Sequence, residues 1–400
     1  MNGHEPSRGD KQLELPPLSL YIHIPWCIRK CPYCDFNSHQ KKGELPEQDY
    51  IRALLQDLHQ DLPYLQGRTI QSVFFGGGTP SLFSASAIAQ LLTQLNNRVA
   101  LEASAEITLE ANPGTAERQR FADYKAAGIT RLSLGIQSFD DESLQQLGRI
   151  HGSNDGRRAI EFAHAAGFAH LNIDIMYGLQ QQTPTAAIAD LEQAIAAGSD
   201  HLSWYQLTIE PNTEFFKNPP RLPEESLLMD IQEAGLALLA RQGFQRYEIS
   251  AYARPGNESR HNLNYWLFGD YIGIGAGAHG KITVPAKDWV LRTRKLKQPT
   301  HYMSGTDNRT AATTAVPVEE LAVEFMLNSL RLTQGFLIND FEQRTGLAFD
   351  TIEKQVESLQ AKKLLDRSGN RILPTAKGLE FLNDVLAEFL QTRASEPGHD

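Results

Sequence analysis

From Leu18 to about Leu207, short apolar runs of strand length alternate with amphipathic stretches of helical period. That alternation leaves few folds open, because strands joined by helices lie parallel and the helices must cover the sheet. Six strands are expected, roughly Leu18–Ile24, Ser72–Phe75, Glu106–Leu109, Arg131–Leu134, Leu171–Ile175 and Leu202–Leu207. The helices between them carry start and stop signals. Thr183-Pro184 opens one and Gly198 closes it, Asn154 opens another and Gly167 closes it, and Gly128 ends a third. The class is α/β, with no low-complexity tract and no repeat beyond the β–α rhythm.

In a parallel barrel the loops after the strands share one mouth, so reactive groups gather at the strands' carboxyl ends. Five predicted strand ends carry chemistry here. Three cysteines follow the first strand, Gly76-Gly77-Gly78-Thr79-Pro80 the second, Glu110-Ala111-Asn112 the third and Gly135-Ile136-Gln137-Ser138 the fourth, while Asp174 stands at the fifth. Each has a plain structural account alone, a tight turn for glycines or a helix cap for polar residues. Their convergence points to a binding site.

The cysteines sharpen this. Cys27, Cys31 and Cys34 are the only three in 400 residues and are spaced C-x3-C-x2-C. Disulfide frameworks use even numbers spread along a chain, so this grouping points to a metal centre. Three thiolates cannot complete a tetrahedral structural zinc site, but they can hold three irons of a [4Fe-4S] cluster and leave the fourth iron open. Alternation up to Ile24, stopped by Pro25, places them on a loop just past a strand.

This spacing, with an aromatic before the third cysteine, resembles the radical S-adenosylmethionine (SAM) superfamily, whose members let SAM chelate the open iron. The tract Tyr21 to Phe36, with its Tyr-x-His-Ile-Pro-Trp flank, is more narrowly similar to the branch that holds oxygen-independent coproporphyrinogen III dehydrogenases and heme chaperones. The resemblance runs from about Leu18 to Asn212 and implies a partial (β/α)6 barrel. Residue by residue it carries SAM contacts onto Tyr21, Gly77, Gly78, Thr79, Glu110, Gln137, Arg149 and Asp174. The residue types suit those roles. Gly77 and Gly78 let a ligand approach their backbone, carboxylates and an amide suit ribose hydroxyls, and Arg149 offers a fork for a carboxylate.

Within that branch the chain departs from the dehydrogenases. They carry a further cysteine two places after the third ligand, where Phe36 stands here, and a longer N-terminal extension than the twenty or so residues before the first strand. The tract His261-Asn262-Leu263-Asn264-Tyr265-Trp266 matches the H-N-x-x-Y-W motif of the heme chaperones. By that resemblance His261 is expected as a heme ligand beside aromatic rings. Read from the residues alone, His261 and Asn262 cap a turn while Tyr265 and Trp266 fill core. His23 is either a neighbour of the cluster loop or a packed strand histidine. The run from Tyr271 to Gly280 contains G-x-G-x-G with the wrong spacing for dinucleotide binding, so close backbone packing is expected, with His279 near the site.

Past Asp288 the chain changes. The basic, proline-containing stretch Arg292 to Pro299 reads as a surface connection. Beyond Val316 a stripe of Leu321, Phe325 and Leu330, helices over 338–344 and 351–360, a hairpin from Leu364 to Leu373 and a last helix to about Phe389 resemble a winged helix. Its expected role is a lid or a docking surface, since Lys354 is balanced by Glu353 and Glu357 and no one-signed face for phosphates results. The expected division is a tail at 1–17, the barrel with the heme motif at 18–287, a connector at 288–315, the winged-helix-like domain at 316–390 and a tail at 391–400.

Composition sets the outer bounds. A net charge of −10 argues against broad nucleic-acid binding. No run of 18 apolar residues and no apolar segment in Met1 to Gln12 is seen, so neither a membrane span nor a secretory signal is expected, and the cytoplasm suits reduced thiols. The resemblance implies a [4Fe-4S] cluster, SAM and heme as bound groups. It implies transfer of heme to apo-proteins such as respiratory enzymes, with oxidative decarboxylation of a porphyrinogen as the alternative. A homodimer and a bare scaffold are left open.

Overall fold

The computed structural model describes residues 12–115, 118–305 and 308–390; of the expected tails at 1–17 and 391–400, residues 1–11 and 391–400 lie outside them. Six parallel strands follow one another in space as in sequence: β1 (Leu18–Ile24), β2 (Ile70–Gly77), β3 (Leu101–Ala111), β4 (Arg131–Gln137), β5 (His170–Tyr177) and β6 (His201–Gln206). Their outer face is apolar. Leu18, Leu20, Ile22 and Ile24 of β1 meet Tyr50 and Leu54 of the helix Glu47–Asp61, and equivalent aliphatic rows of β2 to β6 join the same core. Their inner face is polar: Ser19, Tyr21 and His23 lie in register with Ser72, Phe74 and Gly76 of β2, and the row continues through Glu106, Thr108 and Glu110. This alternation marks a sheet that curves around a lumen and is covered by helices only outside, a partial (β/α)6 barrel.

The helix signals act as expected. Thr183 Oγ1 accepts from Ala186 N at 3.2 Å to cap Pro184–Ala196. Gly128, Gly167 and Gly198 end their helices at φ of +108°, +80° and +82°. The helix expected to open at Asn154 begins one residue earlier, at Ser153, where Asp155 accepts from Gly152 N at 3.0 Å.

The sheet is wider than six strands. Beyond β6 it adds β7 (Gln245–Glu248) and β8 (Ala251–Ala253), antiparallel, in the order β6-β8-β7. Beyond β1 it adds β9 (Asp270–Ile274), parallel to β1, and then β10 (His279–Val284), β11 (Trp289–Lys295) and β12 (Thr310–Ala315), antiparallel. The expected surface connection at Arg292 to Pro299 is therefore corrected. Val290, Leu291, Thr293 and Lys295 of β11 are buried, and Lys295 Nζ lies 2.6 Å from each of Asp57 and Asp61. Its charge is compensated inside and not solvated. The glycine run does serve close packing: a Cβ on Gly273 would stand 1.9 Å from the carbonyl oxygen of His279, and one on Gly275 2.4 Å from that of His23.

The amino ends of the strands are closed by the helix Arg260–Trp266, capped by Ser259. Glu106 holds it there, accepting from Ser259 Oγ at 3.2 Å and His261 N at 3.1 Å while Arg131 Nε donates to its other oxygen at 2.9 Å. A second core begins at Val316. Leu321, Phe325 and Met326 of Val318–Ser329 pack on Phe341, Ile352 and Val356 of the next two helices, Ile338–Thr345 and Asp350–Ala361. The hairpin Leu365–Ser368/Arg371–Pro374 turns at Gly369 (φ +60°), and Phe336–Leu337 adds a third strand, completing a winged helix. Among the described residues no helix is long and apolar enough to cross a membrane.

Candidate functional site

Pro25 ends β1, and the chain then makes a two-residue parallel pairing of Trp26 with His39 and Cys27 with Gln40. Trp26 is anchored edge-on to Tyr50 at 4.8 Å between ring centres. This pairing ties both ends of the loop that carries Cys31 and Cys34, so the three thiols face one cavity at the carboxyl ends of the strands. All three are free. Burial pushes the thiols of Cys27 and Cys34 up from the ordinary cysteine range, so iron binding there would displace protons. Among the described residues no three His, Cys, Asp or Glu side chains converge as ligands of a single metal ion. Three thiols on one cavity wall are the donor set through which a cluster would be held by three separate irons.

The same cavity is lined by Gly77, Gly78, Thr79, Glu110, Gln137, Arg149 and Asp174. Arg149 is the decisive group. Its Nη2 donates to Asn112 Oδ1 at 2.5 Å and to the carbonyl of Gly135 at 2.7 Å, and its Nη1 lies 3.4 Å from Tyr33 Oη and 3.6 Å from Cys31 Sγ. Among the described residues no carboxylate forms an ion pair with it. A half-buried guanidinium whose hydrogen bonds go to neutral oxygens and a thiol, with the Asp174 carboxyl acting on it only through space, is suited to an incoming anion, whether a thiolate-bound cluster or a carboxylate.

Two carboxyls stand on the inner face of β3 and β5. Burial, with Asp174 adding to it, pushes Glu110 up to about 8, while Gly77 N donates to it at 3.2 Å. Burial also raises Asp174, against hydrogen bonds from Asn172 Nδ2 at 2.7 Å and Ser133 Oγ at 3.3 Å. Such desolvated, closely placed carboxyls mark binding sites for hydroxyls or cations. Gln137, at the end of β4, holds φ +71°, a strained conformation for a non-glycine, and accepts from Tyr205 Oη at 2.7 Å.

The glycines answer to a different need than the sequence implied. A Cβ on Gly77 (φ +113°) would stand 2.5 Å from the His23 ring, and one on Gly78 2.6 Å from the carbonyl oxygen of Trp26. Their amides are also engaged, Gly77 with Glu110 and Gly78 with the carbonyl of Ile24 at 2.8 Å. The missing side chains make room for the protein itself, and a ligand is left their carbonyls. Asn112, Tyr33, Ser133 and Tyr205 also line the cavity. They were not singled out as ligand contacts, although Asn112 and Tyr205 stand at or beside strand ends and Tyr33 lies between two cysteines.

Tyr21 does not line this cavity. It faces a neighbouring cleft with His23, Tyr265, Tyr271 and His279, and donates to or accepts from His23 Nδ1 at 3.0 Å. His261 is on neither wall. It is 1% exposed at the amino ends of the strands, with Nδ1 2.9 Å from Ser72 Oγ, Nε2 3.1 Å from Tyr265 Oη and its ring stacked on Phe74 at 4.9 Å. Both ring nitrogens are engaged, so an axial bond to iron would require breaking one of these contacts. Its motif forms a helix and not a turn.

The barrel, the thiol loop and the closing helix define a radical SAM protein with an added winged helix. Residues 21–193 match the model of the radical SAM superfamily, and residues 316–381 that of the HemN C-terminal domain. The chain is similar over 94% of its length to the heme chaperone HemW of Escherichia coli, at 49% identity and covering 99% of it, and to that of Haemophilus influenzae, at 48% identity with the same coverage. Among solved structures it is similar to the coproporphyrinogen III oxidase HemN from Escherichia coli, with a TM-score of 0.79, 25% identity and coverage of 94% of this chain and 90% of that one. The chain belongs to the HemW family of the radical SAM superfamily.

Proposed function

We propose that this protein is a cytoplasmic heme carrier that binds a [4Fe-4S] cluster on Cys27, Cys31 and Cys34, holds SAM at the barrel mouth, and transfers heme to apo-proteins such as respiratory enzymes. The observation that carries the reading is Arg149, a half-buried cation that makes no ion pair among the described residues and stands beside three free thiols, in a chain 49% identical to a heme chaperone over 94% of its length. Glu110, Asp174 and Gln137 supply acceptors for the hydroxyls of SAM, and Thr79 and Asn112, joined at 3.0 Å, brace the strand ends beneath it. When bound, the cluster supplies an open iron that chelates the amino and carboxylate groups of SAM. The H-N-x-x-Y-W segment belongs to the heme function through Tyr265, which His261 orients.

The test is anaerobic reconstitution with iron, sulfide and SAM, followed by incubation of the heme-loaded protein with an apo-cytochrome. Cluster content near four irons, a SAM-dependent change in the EPR spectrum of the reduced cluster, and appearance of holo-cytochrome are expected. Turnover of coproporphyrinogen III under the same conditions without heme transfer would replace this reading by the porphyrinogen-decarboxylating one.

A further inference from the structure

Beside the mouth lies a cleft of about 560 Å³, a size that suits a large organic ligand. Its position follows from two non-local segments, the loop after β1 and the start of β9 and β10. Phe36 stands on the wall of both cleft and mouth and is 60% exposed. Tyr265 and Tyr271 also line the cleft, packed edge to face at 4.4 Å. The cleft therefore offers aromatic surface without a filled apolar interior.

Three histidines border it, and their freedom differs. His23 is 5% exposed, and both ring nitrogens are engaged, with Tyr21 Oη at 3.0 Å and the carbonyl of Asn37 at 2.9 Å. His39 is directed at the backbone of Lys297, and its Nε2 is buried without a hydrogen-bond partner, turned away from solvent. His279 is exposed, and its ring makes no hydrogen bond or ion pair among the described residues. It stands where the cleft meets a second groove of about 350 Å³, which shares Tyr271 and His279 and adds Arg292 and Arg294. Lys30 and Lys297 border the first cleft, with Asp35 as its carboxylate; in the second, Glu324 is paired with Arg292 at 2.5 Å. The uncompensated charge around His279 is positive.

Resting on the heme-carrier reading above, we infer that the iron tetrapyrrole docks in this cleft, with His279 as axial ligand, Phe36, Tyr265 and Tyr271 against its faces, and Lys297 and Arg294 toward its carboxylates. A neutral imidazole with a free lone pair is what an axial bond requires. Partial burial and the charges of Arg294, Lys297 and Arg292 push His279 below the ordinary histidine range, which favours the neutral ring. Aromatic faces and paired cations match a flat dianion, and the iron bond gives the site preference for a metallated ring. The site also gives the exchange of cysteine for Phe36 a meaning: an exposed ring stands between the cluster and the cargo.

The experiment uses the full chain, reconstituted anaerobically, and titrates it with ferric heme by Soret absorbance and with metal-free protoporphyrin by fluorescence. His279→Ala should weaken heme binding at least about tenfold, shift the Soret band and EPR signal of what remains bound, and change porphyrin affinity by less than about twofold. Lys297→Glu should weaken both ligands severalfold. Iron and sulfide content should stay at the wild-type level in both variants, since both side chains are exposed. A His279→Ala protein with wild-type heme spectrum and affinity would overturn the site and leave heme carriage standing. Equal loss of heme and porphyrin would overturn the axial bond. A wild-type chain that binds no ferric heme would overturn both this inference and the function it rests on.

Discussion

Replacing His261 by Ala should destabilise the ligand-free fold by about 3 kcal/mol at pH 7.5. The figure is built from contacts. Two buried hydrogen bonds, to Ser72 Oγ and Tyr265 Oη, are worth about 1 kcal/mol each net. The stack on Phe74 at 4.9 Å and the edge contact with Tyr265 at 4.8 Å each add about 0.5 to 1 kcal/mol. Urea unfolding followed by tryptophan fluorescence reads the difference, and a second dimension comes from pH. Burial pushes His261 down to about 3, well below the ordinary 6.5, so the unfolded chain takes up a proton first. The stability that neutral His261 contributes is present above pH 6.5 and is lost as pH falls toward 3. The gap between wild type and His261→Ala should therefore narrow by about 1.4 kcal/mol per pH unit below 6.5. A gap under about 1 kcal/mol at pH 7.5, or one that stays constant from pH 7.5 to 5, would refute the buried, neutral and fully bonded imidazole described above.

The other predictions concern the mouth and the buried charges. Cys27→Ala, Cys31→Ala and Cys34→Ala should each lose most of the reconstituted iron and sulfide, because each thiolate would hold a separate iron; wild-type iron content in all three would remove the cluster assignment. Arg149→Ala should weaken the effect of SAM on the reduced cluster's EPR spectrum by about 2 kcal/mol in apparent affinity, and unchanged SAM titrations would show that the guanidinium serves only Asn112 and Gly135. Lys295→Ala should cost about 3 to 5 kcal/mol in urea unfolding, because it leaves Asp57 and Asp61 buried without their shared cation, and a loss below 1 kcal/mol would mean that water reaches them.

What could be read from residues alone follows from how far apart the partners lie. The mouth was legible because a parallel array delivers whatever follows each strand to the same end, so neighbours in space are announced by position in a local pattern. Cys27, Glu110, Gln137 and Asp174 needed no pairing rule to be placed together. Lys295 was misread because its basic neighbours sit on the opposite face of β11 and its partner Asp61 is 234 residues away. A run of basic residues looks solvated until the strand's alternation is known. Gly77 and Gly78 were read for ligand approach, yet the atoms that need their missing side chains are those of His23 and Trp26.

The H-N-x-x-Y-W tract shows the same limit from the other side. As a word in the sequence it points at its histidine, but on a helix His261 and Tyr265 are one turn apart, and the bond between them at 3.1 Å turns the imidazole inward while the phenol reaches the cleft. The first motif residue orients the second, and the exposed imidazole at that cleft belongs to His279, whose backbone lies so close to Gly273 that a Cβ there would stand 1.9 Å from its carbonyl oxygen. A larger residue at 273 would displace His279 and Tyr271 together. The glycine run and the H-N-x-x-Y-W tract, which look unrelated along the chain, are thus two parts of one wall.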